Sequence, residues 1–519
     1  MTKIVDFWHY LRQPKGAEMK ESNYISDVLQ RLKDLGYTPL EQEYYNYIYE
    51  WLEWYKGNVE AFHKHKMFNG IKFCDDNIAS LGLAKIFAQH WASLLFNNKT
   101  AITMNEDGDS QNVLDELLNE TNFRHYFKNT LEVTFATGTG ATTEYLENGE
   151  IRVNHIYAPM IFPLKQVNGE IVDCAFASID GNGYYLNIHL RNSDGSYTIK
   201  NDWFTSPNLK DKANIDAEQK DDYVKEYQSP VKLFQIYKPN QVNAVDLYCP
   251  MGMAITANCI DQFKTADYAY STLQNEFKLG KKKIFLPIST LSYKIIVDPN
   301  GQQQSIPIFD ENQTEYYALP SDPEDSKQIT EYNPALRISE LESGVQLAIN
   351  LAGIKAGFGE NHFTFKEGGV YTNTAQVFSS NSDLRYNLLL HEDMLSASLK
   401  ELARALFYLK TGQIYDGEIT IDFDDSIFED EQVKKNNAIL ELNNGLIDNV
   451  QYYIDIYGMT EKQAVDFAKK IQKRKGELEQ TEEVVPDEET DEDDNESNDD
   501  SKGKEVDQKE TSKDKEKES

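Results

Sequence analysis

Residues 384–412, LRYNLLLHEDMLSASLKELARALFYLKTG, carry a long and regular helical pattern. Apolar side chains and one histidine recur at steps of three and four residues, the spacing of a single helix face, at Leu384, Leu388, His391, Leu395, Leu399, Leu402, Leu406 and Leu409. Gly412 follows as a residue that ends helices. The stretch predicts one long helix with a buried stripe, on which the histidine is a core or interface residue.

Two further helices precede this stretch. The first is predicted over residues 254–279, where apolar residues again step by threes and fours. The second covers residues 336–356 and carries small residues every four positions: Gly344, Ala348, Ala352 and Ala356. A glycine inside a helix costs about 1 kcal/mol relative to alanine, so its presence indicates close packing. That packing is either against another copy of the chain or within one subunit.

The segments between these helices have a different composition. Residues 283–335 contain six of the fifteen prolines among short apolar runs, which predicts a small α/β or β module. A loop follows from Gly357 to about residue 374, with four glycines and the exposed-looking residues Glu360, His362, Lys366 and Glu367. A loop of this length inside a compact domain is usually functional, although a plain surface connector is the alternative.

The remaining regions complete an α+β chain. Helical patterns are predicted at residues 24–56 (two helices), 77–97 and 111–128, and an antiparallel sheet from Leu131 to about residue 250. A strand near residues 419–423 and a helical pair at 431–475 follow. After Gly476 the chain is charged and free of aromatic residues, which predicts a disordered tail that is dispensable for folding and assembly.

The charge balance limits the possible partners. The 519 residues carry a net charge of -34. Residues 477–519 hold 20 acids and 6 bases, a net charge of -14, so the remaining -20 belongs to residues 1–476. A chain this acidic does not bind nucleic acid tightly over its whole surface, although a local neutral or basic channel is compatible with this charge.

Cysteine usage and the amino terminus indicate a cytoplasm-like compartment. Cys74, Cys174, Cys249 and Cys259 have no CxxC spacing and are too few for a disulfide framework. Asp6 and His9 interrupt the apolar run that a signal peptide needs, and no run of 18 apolar residues predicts a membrane helix.

Catalytic motifs are missing from the sequence. There is no P-loop, no Gly-x-Ser-x-Gly and no His-Glu-x-x-His pattern. His63 and His65, with Asp75 and Asp76 downstream, are the nearest approach to a metal site, but two histidines flanked by lysines are more typical of a solvated edge. We therefore expect no enzyme activity, no cofactor and no metal.

The order of the elements resembles a known family. Trp54-Tyr55-Lys56-Gly57-Asn58 lies in the helical amino-terminal region, followed by residues 81–100, LGLAKIFAQHWASLLFNNKT, and by the β segment 153–163, VNHIYAPMIFP. With the helix, module, helix, loop and long helix that follow, the chain resembles the portal, or head-to-tail connector, proteins of tailed bacteriophages, in the form common in siphophages of Gram-positive hosts.

The resemblance implies a portal-like fold with these parts: a helical and β wing at 1–250, stem helices at 251–282 and 336–357, a clip at 283–335, a tunnel loop at 358–374, the long wing helix and strand at 375–430, a helical crown at 431–476 and the acidic tail at 477–519. It implies a ring of twelve subunits at one capsid vertex of the virion, assembled in the host cytoplasm. Double-stranded DNA passes through such a ring during packaging and ejection.

The resemblance also implies site residues and partners. Candidates for the channel are Lys366, Lys355, His362, Glu360, Lys281, Lys282 and Lys283, although for any single lysine a solvated surface charge is the favoured interpretation. Candidates for ring packing are Gly344, Ala348, Ala352 and Ala356. The implied partners are further copies of the chain, DNA, terminase, scaffold and major capsid protein, and head-completion, adaptor and tail proteins, with no membrane.

Two competing interpretations stay open at this point. One is another virion structural or minor capsid protein without a DNA channel, which would not need the element order of residues 254–410. The other is a metal-dependent hydrolase that uses His63, His65, Asp75 and Asp76.

Overall fold

The computed structural model of the protein describes most of the chain: residues 21–68, 72–104, 108–147, 149–180, 183–204, 225–287, 293–297, 299–307, 315–319, 330–360, 362–364, 382–424 and 431–482. The chain divides into two compact units, residues 1–430 and residues 431–519. The predicted α+β class is confirmed, while the expectations for residues 365–374 and 483–519 fall outside the described residues.

Helices and short strands make up the amino-terminal part of the first unit. In chain order they are α1 (Glu21–Asp34), α2 (Gln42–Lys56), α3 (Glu60–His63), β1 (Lys64–Phe68), β2 (Phe73–Asn77), α4 (Leu83–Leu95), β3 (Ala101–Met104), α5 (Gly108–Glu120) and α6 (Phe123–Thr137). The two helices predicted within 24–56 are confirmed. The helix predicted over 77–97 is shorter than expected, because β2 and a non-helical segment occupy residues 73–82.

The helix predicted over residues 111–128 is in fact two helices. Asn122 adopts a left-handed conformation with φ of 48° and separates α5 from α6. The predicted start of the sheet at Leu131 was also wrong, since α6 continues to Thr137 and ends at Gly138. Gly138 has φ of 87°, and a Cβ there would overlap the backbone of Gly252.

Two antiparallel sheets follow, as predicted. Their strands are β4 (Gly140–Glu147), β5 (Glu150–Tyr157), β6 (Ile161–Val167), β7 (Glu170–Asp180), β8 (Gly183–Arg191), β9 (Tyr197–Phe204), β10 (Glu226–Ser229) and β11 (Phe234–Tyr237). One sheet has the order β10-β9-β8-β7-β6 and the other β11-β4-β5. Alternating inward side chains of both sheets join one hydrophobic core with α1 and α2.

The predicted helix–module–helix order is confirmed. Helix α7 (Ile260–Leu279) begins later than the predicted residue 254, after a short 3-10 turn at Ala257–Cys259. The module contains β12 (Lys283–Pro287), β13 (Tyr293–Val297), β14 (Gln303–Pro307), β15 (Glu315–Leu319) and β16 (Thr330–Tyr332), so its described residues form strands rather than a mixed α/β unit. Its sheets have the orders β15-β12-β16 and β13-β14. Helix α8 (Ile338–Lys355) then leaves the module.

The long helix is confirmed as α9 (Ser382–Thr411), with Gly412 in the left-handed conformation at its end. The leucine stripe is buried from Leu384 to Leu406 and packs in a second hydrophobic core with α4–α8. Strand β17 (Ile419–Asp422) then pairs antiparallel with β3, matching Ile419 to Met104.

The described residues of the second unit, 431–482, are mostly helical. They contain α10 (Glu431–Asn443), α11 (Asn449–Tyr457) and α12 (Glu461–Glu482), so the predicted helical pair is three helices. Helix α12 continues past Gly476, the residue at which we expected the ordered chain to end. Of the described helices, none combines the length and the apolar composition that crossing a membrane requires.

Candidate functional site

The candidate site is the antiparallel pair of helices α7 and α8 with the segment that follows α8. At one end of the pair, Lys355 Nζ donates to the carbonyl oxygen of Asn258 at 3.0 Å and to Oε1 of Gln262 at 2.8 Å. At the other end, beside the β module, Arg337 Nε donates to Glu276 Oε1 at 3.0 Å. Polar contacts at both ends therefore fix the register of the two helices.

The small-residue face of α8 lies inside the subunit. Ala348, Ala352 and Ala356 are 3%, 0% and 1% exposed and belong to the core shared with α7, α4 and α9. The Sγ of Cys259 lies 3.4 Å from the carbonyl oxygen of Ala352, so the 3-10 turn before α7 contacts the backbone of α8 here. Of the four candidates for ring packing, these three alanines thus serve the helix pair itself.

Gly344 differs from the three alanines. It is half-buried, and a Cβ built on it would meet no atom within 4 Å in the subunit. Leu347 and Leu351, three and seven residues after Gly344, share its side of α8, and Ile354 continues this side. The three side chains are 60%, 45% and 50% exposed, and we call them the outer stripe. Whether this side of α8 meets another subunit stays a prediction.

The chain leaving α8 is clamped onto α4 and α9. Gly357 and Gly359 have φ of 86° and 83°, which allows two sharp turns that side chains would oppose. Trp91 Nε1 donates to the carbonyl oxygen of Ala356 at 3.0 Å, and Asn387 Nδ2 donates to that of Gly357 at 2.9 Å. The first residues of the predicted tunnel loop therefore pack against the body of the subunit.

Aromatic rings extend this clamp. Phe358 is 1% exposed and lies 4.8 Å from Trp91 between ring centroids, and Phe363 stacks on Phe87 at 4.8 Å and an interplanar angle of 10°. Burying side chains of this size contributes about 2 kcal/mol each. Among the described residues, Phe363 is the last ring of this clamp in chain order.

His362, one of the channel candidates, belongs to the clamp. Its Nε2 lies 2.9 Å from Nε2 of His90, and its ring stacks on Phe358. Burial and the neighbouring imidazole of His90 lower the pKa of His362 to about 4, and burial also lowers the pKa of His90. At neutral pH both rings are therefore uncharged, and one donates its N–H to the bare nitrogen of the other.

The other channel candidates are spread over both ends of the helix pair. Glu360 is exposed beside the clamp, and Lys366 lies outside the described residues. At the module end, Lys281 is exposed, Lys282 pairs with Glu331 at 2.7 Å, and Lys283 is half-buried in β12. The structure thus separates Lys355, Glu360 and His362 from the Lys281–Lys283 cluster by the length of a helix, about 30 Å for twenty residues.

His63, the first residue of the alternative metal site, is 5% exposed and has a structural role, so it does not belong to a solvated edge as expected. The backbone N–H of Val59 donates to His63 Nδ1 at 2.9 Å, so Nε2 carries the proton and donates to Asp267 Oδ2 at 3.1 Å. Asp267 Oδ1 accepts from the N–H of Leu81 at 2.8 Å. Both ring nitrogens of His63 are engaged, and the described residues contain no group of three or more side chains placed to hold a metal.

The family assignment rests on the sequence as a whole. The family described as phage portal protein, SPP1 Gp6-like, matches residues 37–484. The chain belongs to this portal family. The resemblance that the motifs carried is confirmed, and the match spans α2 through α12 and includes the helix pair, the module and the long helix. As a phage portal protein, the chain is a structural protein of the virion.

Solved structures show weaker similarity. A chain from the virion of a native gene transfer agent particle is 10% identical, with a TM-score of 0.40, over 82% of the portal protein and 96% of that chain. A chain from the neck of the native particle, computed with C12 symmetry, is 11% identical with a TM-score of 0.38, over 72% and 87%. Similarity at this level carries no argument about function. A comparison with curated proteins gave no match.

Sequence reasoning missed two features of this portal protein. Asp267 is 2% exposed and ties the segment just before α4 to α7. Its spacing of four residues from the buried Phe263, which puts both on one helix face, was the available signal. The second feature is a cavity in the wing around Glu144 and His189, which lie on strands too far apart in sequence to be associated by pattern.

Proposed function

We propose that the protein forms a closed ring at one capsid vertex and serves as the conduit for DNA during packaging and ejection. The family match over residues 37–484 carries the proposal, because it includes every element from the wing to the crown. The partners we propose are terminase, scaffold and major capsid protein, and head-completion, adaptor and tail proteins. The number of subunits we propose is twelve.

The outer stripe of α8 supports self-association. Leu347, Leu351 and Ile354 lie at i, i+4 and i+7, the spacing of one helix face, and each is about half exposed. A second copy of the chain is the occupant we propose for this face, and a head-to-tail contact repeated around an axis closes a ring. The small-residue face cannot play this part for Ala348, Ala352 and Ala356, because their side chains are already covered within the subunit.

The clamp at the end of α8 supports a role for the tunnel loop on DNA. Gly357 and Phe358 are held by Asn387 and Trp91, and Phe363 is held by Phe87, so the function we propose belongs to the part of the loop beyond Phe363. Lys366 is the residue we propose to meet phosphate weakly and transiently, because an ammonium group attracts phosphate without a fixed bidentate geometry.

Deleting residues 366–374 tests the conduit without disturbing the clamp. We expect rings with a central hole by negative-stain microscopy, and particles that package or retain less DNA. An equally long deletion of residues 511–519 is the matched control and should leave both properties unchanged. Normal packaging and retention of full-length genomes by the loop deletion would exclude a role of the loop in the channel, and purified chain that stays monomeric would contradict the ring.

A further inference from the structure

A cavity of about 460 Å³ lies in the wing between the two antiparallel sheets. Residues of β4 and β5 form one side, residues of β7–β10 form the other, and the last turn of α9 closes one end at Tyr408 and Leu409. Its volume is within the range of sites that hold small organic molecules. Nothing in the portal function described above uses this cavity.

A buried carboxyl group lines the cavity. Glu144, on β4, is 1% exposed. Its Oε1 accepts from the Thr142 hydroxyl at 2.7 Å, whereas its Oε2 has no hydrogen-bond partner among the described residues. Burial raises the pKa of Glu144 to about 7, against the smaller opposing effects of Thr142, Gln235 and Lys232. The carboxyl therefore gains little compensation for its negative charge within the subunit.

A buried histidine lines the same cavity. His189, on β8, is 2% exposed, and its Nε2 lies 2.6 Å from Oδ1 of Asn187. Asn187 donates its amide to Asn201, so its Oδ1 accepts and the proton of His189 sits on Nε2. Nδ1 is then unprotonated and has no hydrogen-bond partner among the described residues. Burial and Lys232 lower the pKa of His189 to about 3, so the ring is neutral.

Both unpartnered atoms are thus hydrogen-bond acceptors, in a cavity whose described lining contains no cation. Lys232, which acts on both groups from a distance, already pairs with Glu170 at 3.2 Å and lies over the ring of Phe234 at 4.7 Å. An ordered water would satisfy one acceptor but would leave the charge of the carboxylate uncompensated.

Tyrosine rings complete the lining. Tyr145, Tyr185, Tyr227 and Tyr408 are half-buried around the cavity. The faces of such rings attract organic cations, by about 0.5–2 kcal/mol each when the cation is desolvated. We propose that this cavity is a binding site for a small organic ammonium ion, whose N–H groups meet Glu144 and whose charge is shared with the tyrosine faces.

Butylammonium chloride is a suitable probe for the purified full-length chain, with butan-1-ol as the neutral molecule of the same length. Titration calorimetry should show saturable binding of butylammonium and much weaker binding of butan-1-ol. A cation favours the ionised carboxylate, so binding at pH 7 should release about half a proton per site. The heat of binding should therefore differ between phosphate and HEPES buffers in proportion to their ionisation enthalpies.

Glu144→Gln keeps the size of the side chain and removes its charge, and should weaken butylammonium binding by about tenfold or more and abolish the proton release. Glu392→Gln is the matched control, because Glu392 is also buried but lies outside the cavity lining. It should bind like the unaltered chain.

The proposal is overturned if the unaltered chain shows no saturable binding of butylammonium up to about 20 mM. A ligand with a millimolar Kd would saturate the site at that concentration. Equal affinity for butan-1-ol, or unchanged binding to Glu144→Gln, overturns it as well. If Glu144→Gln does not fold, the butan-1-ol comparison and the proton release decide the question on the unaltered chain.

Discussion

Replacing Leu347 and Leu351 together by lysine is expected to prevent ring formation while leaving the subunit folded. Full burial of a leucine or isoleucine contributes about 1.5–3 kcal/mol. The three side chains of the outer stripe are 60%, 45% and 50% exposed, so covering them by a neighbour contributes roughly 1 kcal/mol each. The two leucines that the variant replaces then supply roughly 2 kcal/mol per contact between subunits, which is about a 30-fold change in the dissociation constant of that contact.

Light scattering at several protein concentrations measures the assembly, and thermal unfolding measures the stability of the subunit. Leu35→Lys, at a side chain that is 40% exposed on the turn after α1, is a control for the added charge and should still assemble. Ala348→Leu is the opposite control: it overpacks the covered face, so it should lower the free energy of unfolding by about 1–3 kcal/mol. If the double lysine variant assembles like the unaltered chain, the outer stripe does not carry the contact and the reasoning fails.

Three further predictions concern stability. Gly344→Ala should raise the free energy of unfolding by about 0.5–1 kcal/mol in urea, because its Cβ meets no atom within 4 Å; a loss would show that this position is not open. Asp267→Ala should lower it by about 3 kcal/mol, because the N–H groups of Leu81 and His63 lose their acceptor, and an unchanged urea midpoint would contradict this. For Glu144, the folded pKa is raised from 4.5 to about 7, so the folded chain binds more protons in that window and stability falls as pH rises. Glu144→Gln should remove this loss, so its stability relative to the unaltered chain should grow by about 3 kcal/mol from pH 4 to pH 8 and then stay constant.

Periodicity predicted the elements whose burial pattern is regular. The leucine stripe of α9 repeats over seven turns, which is long enough that no strand or loop pattern competes with it. His391 on that stripe is 5% exposed, and its Nδ1 accepts the backbone N–H of Asn240 at 2.9 Å. The prediction of a satisfied core histidine is therefore confirmed, and burial lowers its pKa to about 4.

The carboxyl-terminal half of α6 was mistaken for a strand because it is rich in β-branched residues. The threonine hydroxyls are satisfied inside the helix, because they donate to carbonyl oxygens four residues earlier, from Thr130 to Tyr126 at 3.0 Å and from Thr134 to Thr130 at 2.7 Å. Burial in the core then outweighs the intrinsic strand preference. Local propensity could not reveal this, since the deciding contacts are tertiary.

The face of α8 that meets a neighbour could not be read from sequence for a related reason. Small residues every four positions indicate that something approaches closely, but they do not say whether the approaching surface belongs to the same chain. The answer for Ala352 comes from Cys259, which lies 93 positions away in sequence. The outer stripe looked unremarkable by pattern because isolated exposed leucines are common on protein surfaces.

The lysines around the helix pair bear on how a portal ring would let DNA slide. A cation contributes to phosphate binding, and to its salt dependence, only as far as its charge is not already neutralised. Lys282 is paired with Glu331. Lys355 keeps its charge, because its partners are the neutral oxygens of Asn258 and Gln262, but these contacts hold its ammonium group against its own subunit. His362 is uncharged, because its pKa is lowered to about 4. These candidates would therefore present a weakly attractive surface to a passing duplex, so DNA in the channel we propose would move without strong fixed contacts at these positions.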